Sequence, residues 1–237
     1  MSGKPSDTRR LYFAMDEDAA ASPGDYKFLN RREVLDHDMP LRGLRTYHDY
    51  ERGVDIRFGL PKLNATPSII FGQLRHQVKD FYRSAFTIVS NAAKEIMLQV
   101  DPSGIEFAKC AAVDWEGNPL NPYWLVAETR IDQIHDHERS VVRYANQLGG
   151  DARHWVPRGI SDIYDLSMPD NFNESTRIFS LKGASQTLIV DEVLVTAWRA
   201  AGLTGAEFTP LYPPTAADRE RHMRVYNRSY WESNGLL

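Results

Sequence analysis

The apolar positions of the chain gather into short β-branched runs and one-sided helical stretches, and one combination of the two occurs twice, 101 residues apart. The first copy runs Phe86-Thr-Ile-Val-Ser-Asn-Ala-Ala-Lys-Glu-Ile-Met-Leu-Gln-Val-Asp-Pro-Ser-Gly-Ile-Glu-Phe107. The second runs Thr187-Leu-Ile-Val-Asp-Glu-Val-Leu-Val-Thr-Ala-Trp-Arg-Ala-Ala-Gly-Leu-Thr-Gly-Ala-Glu-Phe208. Ile88, Val89, Gly104, Glu106 and Phe107 recur without a gap as Ile189, Val190, Gly205, Glu207 and Phe208. Each copy reads strand, helix, strand. The β-branched run ends at Ser90 or Asp191, whose side chains suit a helix N-cap because they can accept an orphan backbone N–H. In the second copy Leu194, Ala197, Trp198 and Ala201 recur at i, i+3, i+4 and i+7, which places them on one helical face. Gly202 then stands where a helix C-terminus favours a left-handed residue, and Gly-x-Glu-Phe opens the next strand. Five identities alone do not establish a duplication; the shared order of signals favours one. An amphipathic helix of this kind must bury its apolar side on a sheet. The pattern therefore predicts an α+β fold of mixed, largely antiparallel sheets with packed helices and an internal strand-helix-strand repeat.

Between the copies, residues 105–113 and 123–131 flank Trp115-Glu-Gly-Asn-Pro-Leu-Asn-Pro122, a turn-rich stretch that predicts an antiparallel hairpin with a long loop. Residues 10–14, 54–58, 140–147 and 177–181 read as further strands, residues 151–172 as loop, and residues 216–230 as a helix. Residues 68–72 and 77–83 lead into the better-defined part of the chain. These readings divide it into an irregular N-terminal β segment (1–62), an α+β domain (63–212) and a C-terminal helical tail (213–237).

Composition adds bounds. With 237 residues, 42% hydrophobic and 25% charged, the chain has globular values and enough length to bury a core without covalent staples. Its one cysteine, Cys110, excludes an internal disulfide and sits among Phe107, Ala108, Ala111, Ala112 and Val113, which reads as a small buried hydrophobe in a reducing compartment. No apolar run approaches the roughly 20 residues of a membrane helix, and the basic start lacks the apolar core of a signal peptide. A cytoplasmic protein without membrane contact is expected. The net charge of −4 argues against nucleic acid as partner. Locally, residues 95–139 hold nine carboxylates against Lys109, Arg130 and Arg139, while the tail carries Arg219, Arg221, Arg224 and Arg228. Such asymmetry is either ordinary solvated surface or an acidic face that steers a basic protein into contact.

No catalytic constellation stands out. His135-Asp-His137-Glu138, with Asp132 upstream, is the one dense His/carboxylate cluster. On a strand both imidazoles would face the same way, yet no distant Cys or His pair completes a ligand set, so a polar loop without metal is the plainer reading. There is no Gly-x-Ser-x-Gly elbow, and Cys110 lies away from any evident base. Gln147-Leu-Gly-Gly-Asp151 lacks the third glycine of a dinucleotide loop and the Lys-Ser/Thr of a P-loop. Glu106 and Glu207, at equivalent repeat positions, are the carboxylate pair to inspect first, and as outward-facing strand residues they read as surface. The tail arginines with Tyr226, Tyr230 and Trp231 have the elements of a single-strand binder, but Asp218, Glu220 and Glu232 dilute the charge. No cofactor is expected.

Residues 86–107, followed by Tyr123-Trp-Leu-Val-Ala-Glu-Thr-Arg-Ile-Asp-Gln-Ile-His-Asp-His-Glu-Arg-Ser140, resemble immunity-protein family eleven of bacterial polymorphic toxin systems. Residues 178–211 are similar to that family's closing element, and the resemblance covers roughly residues 80–212. Where the family often has Asn in the hydrophobic run, this chain has Ala127-Glu128. The resemblance implies a protein that binds and neutralises a cognate antibacterial toxin by protein-protein interaction, not an enzyme. It implies a secreted toxin as partner, with a basic nuclease as one class. The acidic stretch would then supply the toxin-binding residues, namely Glu116, Glu128, Asp132, Asp136 and Glu138. Two alternatives stay open: an adaptor or chaperone for a secreted effector, and an enzyme with a site near His135 and His137.

Overall fold

A computed structural model describes residues 10–18, 26–34, 60, 63–72, 78–83, 86–130, 134–144, 160–181 and 184–226. In chain order these form β1 (Tyr12–Glu17), β2 (Tyr26–Phe28), α1 (Arg31–Val34), β3 (Ser68–Phe71), β4 (Phe81–Arg83), β5 (Thr87–Ser90), α2 (Asn91–Val100), β6 (Ile105–Val113), β7 (Tyr123–Glu128), β8 (Val141–Tyr144), β9 (Ile160–Asp165), β10 (Ile178–Leu181), β11 (Ala184–Asp191), α3 (Glu192–Ala200), β12 (Ala206–Pro210) and α4 (Ala216–Tyr226). Three sheets result, with strand orders β2-β3-β6-β7-β5-β4, β10-β11-β1-β12 and β8-β9. Among the described residues only β3 and β6 pair in parallel. The fold is α+β, as the pattern predicts.

Both copies of the repeat fold as strand, helix, strand. Their two strands are not neighbours: β5 and β6 flank β7, antiparallel to each, and β11 and β12 flank β1 in the same way. The likeness extends outward, since β4 pairs with β5 as β10 pairs with β11. Each unit is thus four strands and one helix, β4-β5-β7-β6 with α2 and β10-β11-β1-β12 with α3. β1 is a central strand of the second unit, and β2 extends the first sheet.

Helix ends form locally and as expected. Ser90 Oγ accepts from the Ala93 N–H at 3.2 Å, and Asp191 Oδ1 accepts from Val193 and Leu194 at 3.1 and 3.2 Å. At the end of α3, Gly202 has φ +66°. Its N–H donates to the Arg199 carbonyl while Leu203 N–H donates to Trp198, the paired bonds that close a Schellman turn.

Side-chain alternation explains the repeated Ile-Val. Successive strand residues face opposite sides of a sheet. Val89 and Val190 enter a central core with Phe13, Met15 and Phe81 and with Ala93 and Met97 of α2 and Leu194 and Trp198 of α3. Ile88 instead enters a second core with Phe71, Tyr82 and Tyr123, and Ile189 a third with Tyr12, Leu166 and Phe179. Both faces of both sheets are therefore covered. Ala93 and Met97 stand at the same repeat positions as Leu194 and Trp198, so smaller residues on α2 share the central core with larger ones on α3. Truncating the buried Trp198 to alanine costs about 3–5 kcal/mol on general grounds.

Polar ties join opposite helix ends. Asp80 accepts from Ser90 Oγ at 2.6 Å, before α2, and from Thr204 N at 2.9 Å, after α3. Arg177 donates its backbone N–H to Asp101, the C-cap of α2, at 2.8 Å and its guanidinium to Asp191, the N-cap of α3, at 2.6 Å. The helices accordingly run antiparallel.

Other differences from expectation are local. Residues 151–172, read as loop, contain β9; its Ser-Asp-Ile-Tyr-Asp stretch is too polar to reveal a strand, and pairing with β8 defines it. The tail helix is described to Tyr226, and α4 packs against β8 and β9. The strand expected at 54–58 and the Gln147–Asp151 glycine doublet lie outside the described residues. No helix among the described residues is long and apolar enough to cross a membrane.

Candidate interaction surface

Several of the chain's carboxylates are spent on cations inside the fold. Asp101 meets Arg130 at 2.6 Å. Asp165 meets Arg219 of α4 at 2.6 Å, which uses one of the tail arginines to hold the tail helix to β9. Asp191 accepts from Arg10 at 2.7 Å and from Arg177 at 2.6 Å. All three carboxylates are buried, so the local charge asymmetry is partly neutralised between segments and only part of it reaches the surface.

The five acids singled out in the sequence separate into different environments. Glu116 is exposed, in the turn between β6 and β7. Glu128 closes β7 and is only 8% exposed. Burial raises its carboxyl above the ordinary glutamate range, and nearby Arg83 opposes the shift. Asp132 lies outside the described residues. Asp136 is partly covered, and its carboxylate accepts from the backbone of Glu138 and Arg139, each at 2.9 Å, and from Arg139 Nε at 2.7 Å. These donors outweigh its partial desolvation and lower its carboxyl. Glu138 is exposed on the turn that Asp136 holds.

Glu116 and Glu128 stand at opposite ends of the β6–β7 hairpin. β6 and β7 pair from Ile105↔Glu128 at one end to Cys110↔Tyr123 at the other, with Glu116 beyond the second. Five residue steps of strand span about 17 Å, so β7 alone places that distance between Glu128 and the start of the loop bearing Glu116. Asp136 and Glu138 instead sit beside Ser167, to whose carbonyl Asp136 N–H donates at 2.9 Å.

The loop itself is tightly organised. Asp114 Oδ1 accepts from the backbone of Glu116 and Asn118 at 2.9 and 2.8 Å, and Oδ2 from the Asn118 amide at 2.9 Å. The Asn118 amide foremost, then those backbone donors, holds the Asp114 carboxyl below its ordinary value. Trp115 projects from this turn with half of its surface exposed. Sequence reasoning passed over it; a tryptophan among turn formers was the available signal.

His135 and His137 lie ring against ring but differ in burial. They sit outside any strand, with ring centroids 4.3 Å apart; His135 is 4% exposed and His137 is exposed. Burial first, then its neighbour His137, pulls His135 down to about 4. Among the described residues no group of three or more His, Cys, Asp or Glu side chains could hold a metal ion. Cys110 is buried, and burial pushes its thiol up to about 11, far from a thiolate nucleophile. Glu106 and Glu207 are both exposed on their strands, and Glu106 accepts from Leu60 N–H at 2.8 Å.

Against protein-family models, residues 11–212 match the immunity protein family (Imm11). The match begins far upstream of residue 80, where the resemblance read from the sequence starts, and takes in β1, the strand that completes the second unit. No curated protein matches the chain.

Proposed function

The chain belongs to the Imm11 immunity protein family, and on that premise we propose that it binds and neutralises a cognate antibacterial toxin without chemistry of its own. The extent of the match carries this reading. Residues 11–212 run from before β1 to beyond β12, so what is shared is the whole paired-unit scaffold and not a short motif. The buried, high-pKa thiol supports a binding role over a catalytic one.

The proposed partner is a basic toxin, with nucleases as the favoured class, met in the cytoplasm of the producing cell. Glu116 and Glu138 are the exposed acids offered to it, Asp136 shapes the turn that presents Glu138, and Asp132 belongs to the same acidic segment. Rim charges of this kind mainly accelerate encounter. The test is co-expression with the toxin encoded in the adjoining reading frame: cells carrying the chain should survive and cells without it should not. Death in both cases, or turnover of a substrate by the purified chain, would defeat the proposal. Glu116→Lys and Glu138→Lys should each slow association severalfold at low salt, with the difference shrinking as salt rises.

A further inference from the structure

The turn from Asp114 to Asn118 offers more than charge. Isolated exposed apolar residues are ordinary on protein surfaces, but Trp115 differs in how it is held. Val113 bridges Pro119, Leu120 N–H returns to the Ala112 carbonyl at 2.9 Å, and Asp114 N–H donates to the Asn118 carbonyl at 2.9 Å. Inside that frame the Asp114 carboxylate takes three donors. The hairpin emerges from the interior of a six-stranded sheet, where β3 supports β6 and β5 supports β7. Leu120 packs against the second core, while Trp115 is left half exposed. From residue 114 to residue 122 the chain carries Asp114 and Glu116 and no lysine or arginine.

We propose that Trp115 is the anchor of the toxin-binding surface, inserting into an apolar pocket rimmed by lysine or arginine on the partner while Asp114 and Glu116 face that cationic rim. The proposal rests on the toxin-binding reading above. Two physical reasons favour it. Tryptophan buries a large area with little rotamer entropy to lose, and tryptophan anchors dominate interface hot spots. A turn already ordered in the free chain spares the cost of ordering it on binding. Charge complementarity points to a basic partner and away from a second copy of this chain, whose matching turn would bring like charges together.

The experiment titrates the full chain and its Trp115→Ala, Trp115→Phe and Glu116→Lys variants against the catalytically inactivated toxin from the adjoining reading frame, by calorimetry and stopped flow. Thermal melts accompany them, and Trp115→Ala should melt with the parent because the ring is half in water. Trp115→Ala should weaken binding by about 30-fold or more, the loss typical of a hot spot. Trp115→Phe should keep most of the affinity, and Glu116→Lys should lower the association rate severalfold at low salt. If the parent chain binds and Trp115→Ala binds equally well, this inference falls and the toxin-binding reading stands. If the parent chain does not bind at all, the reading itself falls. A parent dimer that Trp115→Ala converts to monomer in sedimentation would assign the turn to self-association and overturn the proposal.

Discussion

Asp191 caps α3 and also neutralises two arginines from separate segments, so its removal should cost far more than loss of a cap. Its Oδ1 serves Val193 and Leu194, and its Oδ2 receives Arg10 through Nε at 3.1 Å and Nη2 at 2.7 Å and Arg177 through Nη1 at 2.6 Å. An N-cap is worth about 1 kcal/mol. Breaking a buried ion pair by removing one partner costs about 3–5 kcal/mol. The Arg10 and Arg177 side chains keep 21% and 31% of their exposure, and water can partly resolvate them, which moves the estimate to the lower end of that range. Asp191→Ala should therefore destabilise the chain by about 3–4 kcal/mol, counting cap and cluster together. Asp191→Asn keeps an acceptor for the helix and should lose about 2–3 kcal/mol of that total. Ser90 is the internal control: it stands at the equivalent repeat position, caps α2 and donates to Asp80 but meets no cation, so Ser90→Ala should cost about 1–2 kcal/mol. Urea unfolding at neutral pH measures all three from midpoints and slopes. If Asp191→Ala costs no more than Ser90→Ala, the arginine cluster adds nothing beyond the cap and the reasoning fails.

Two further stability predictions accompany the binding tests given above. Gly205 has φ +87°, and a Cβ there would lie 2.5 Å from the Phe81 carbonyl and 2.8 Å from Lys79 Cβ, whereas at Gly202, φ +66°, a Cβ would meet nothing within 4 Å. Gly202→Ala should cost about 1 kcal/mol of backbone strain, and Gly205→Ala at least about 2–3 kcal/mol because strand and loop must move apart; equal losses in parallel unfolding curves would refute the close-approach explanation. His135 should make stability fall with acid. Its folded value is about 4 against an ordinary 6.5, so between those values the unfolded chain binds more protons, and stability drops as pH falls from about 6.5 towards about 4, by at most about 3 kcal/mol. His135→Gln should flatten that part of the profile, and an unchanged slope would show that other groups govern it.

Legible along the chain was whatever neighbouring residues can arrange among themselves. Both strand-helix-strand units, the Ser90 and Asp191 caps and the Gly202 stop were legible because each depends on contacts within a few residues or on the 3.6 and 2.0 periodicities. The buried Cys110 was legible for the same reason. Tertiary structure decided the rest. β1 joins β11 with Tyr12 opposite Asp191, a pairing across most of the chain that no local spacing encodes. Charge follows the same rule: a carboxylate reads as surface until its cation is known, and Asp101, Asp165 and Asp191 find theirs in Arg130, Arg219 and Arg10. Glu128 went under the surface and Trp115 came out of it because the β6–β7 pairing sets which end of the hairpin meets the body and which meets water. Periodicity identifies the faces of an element, whereas only the packed chain determines what each face meets.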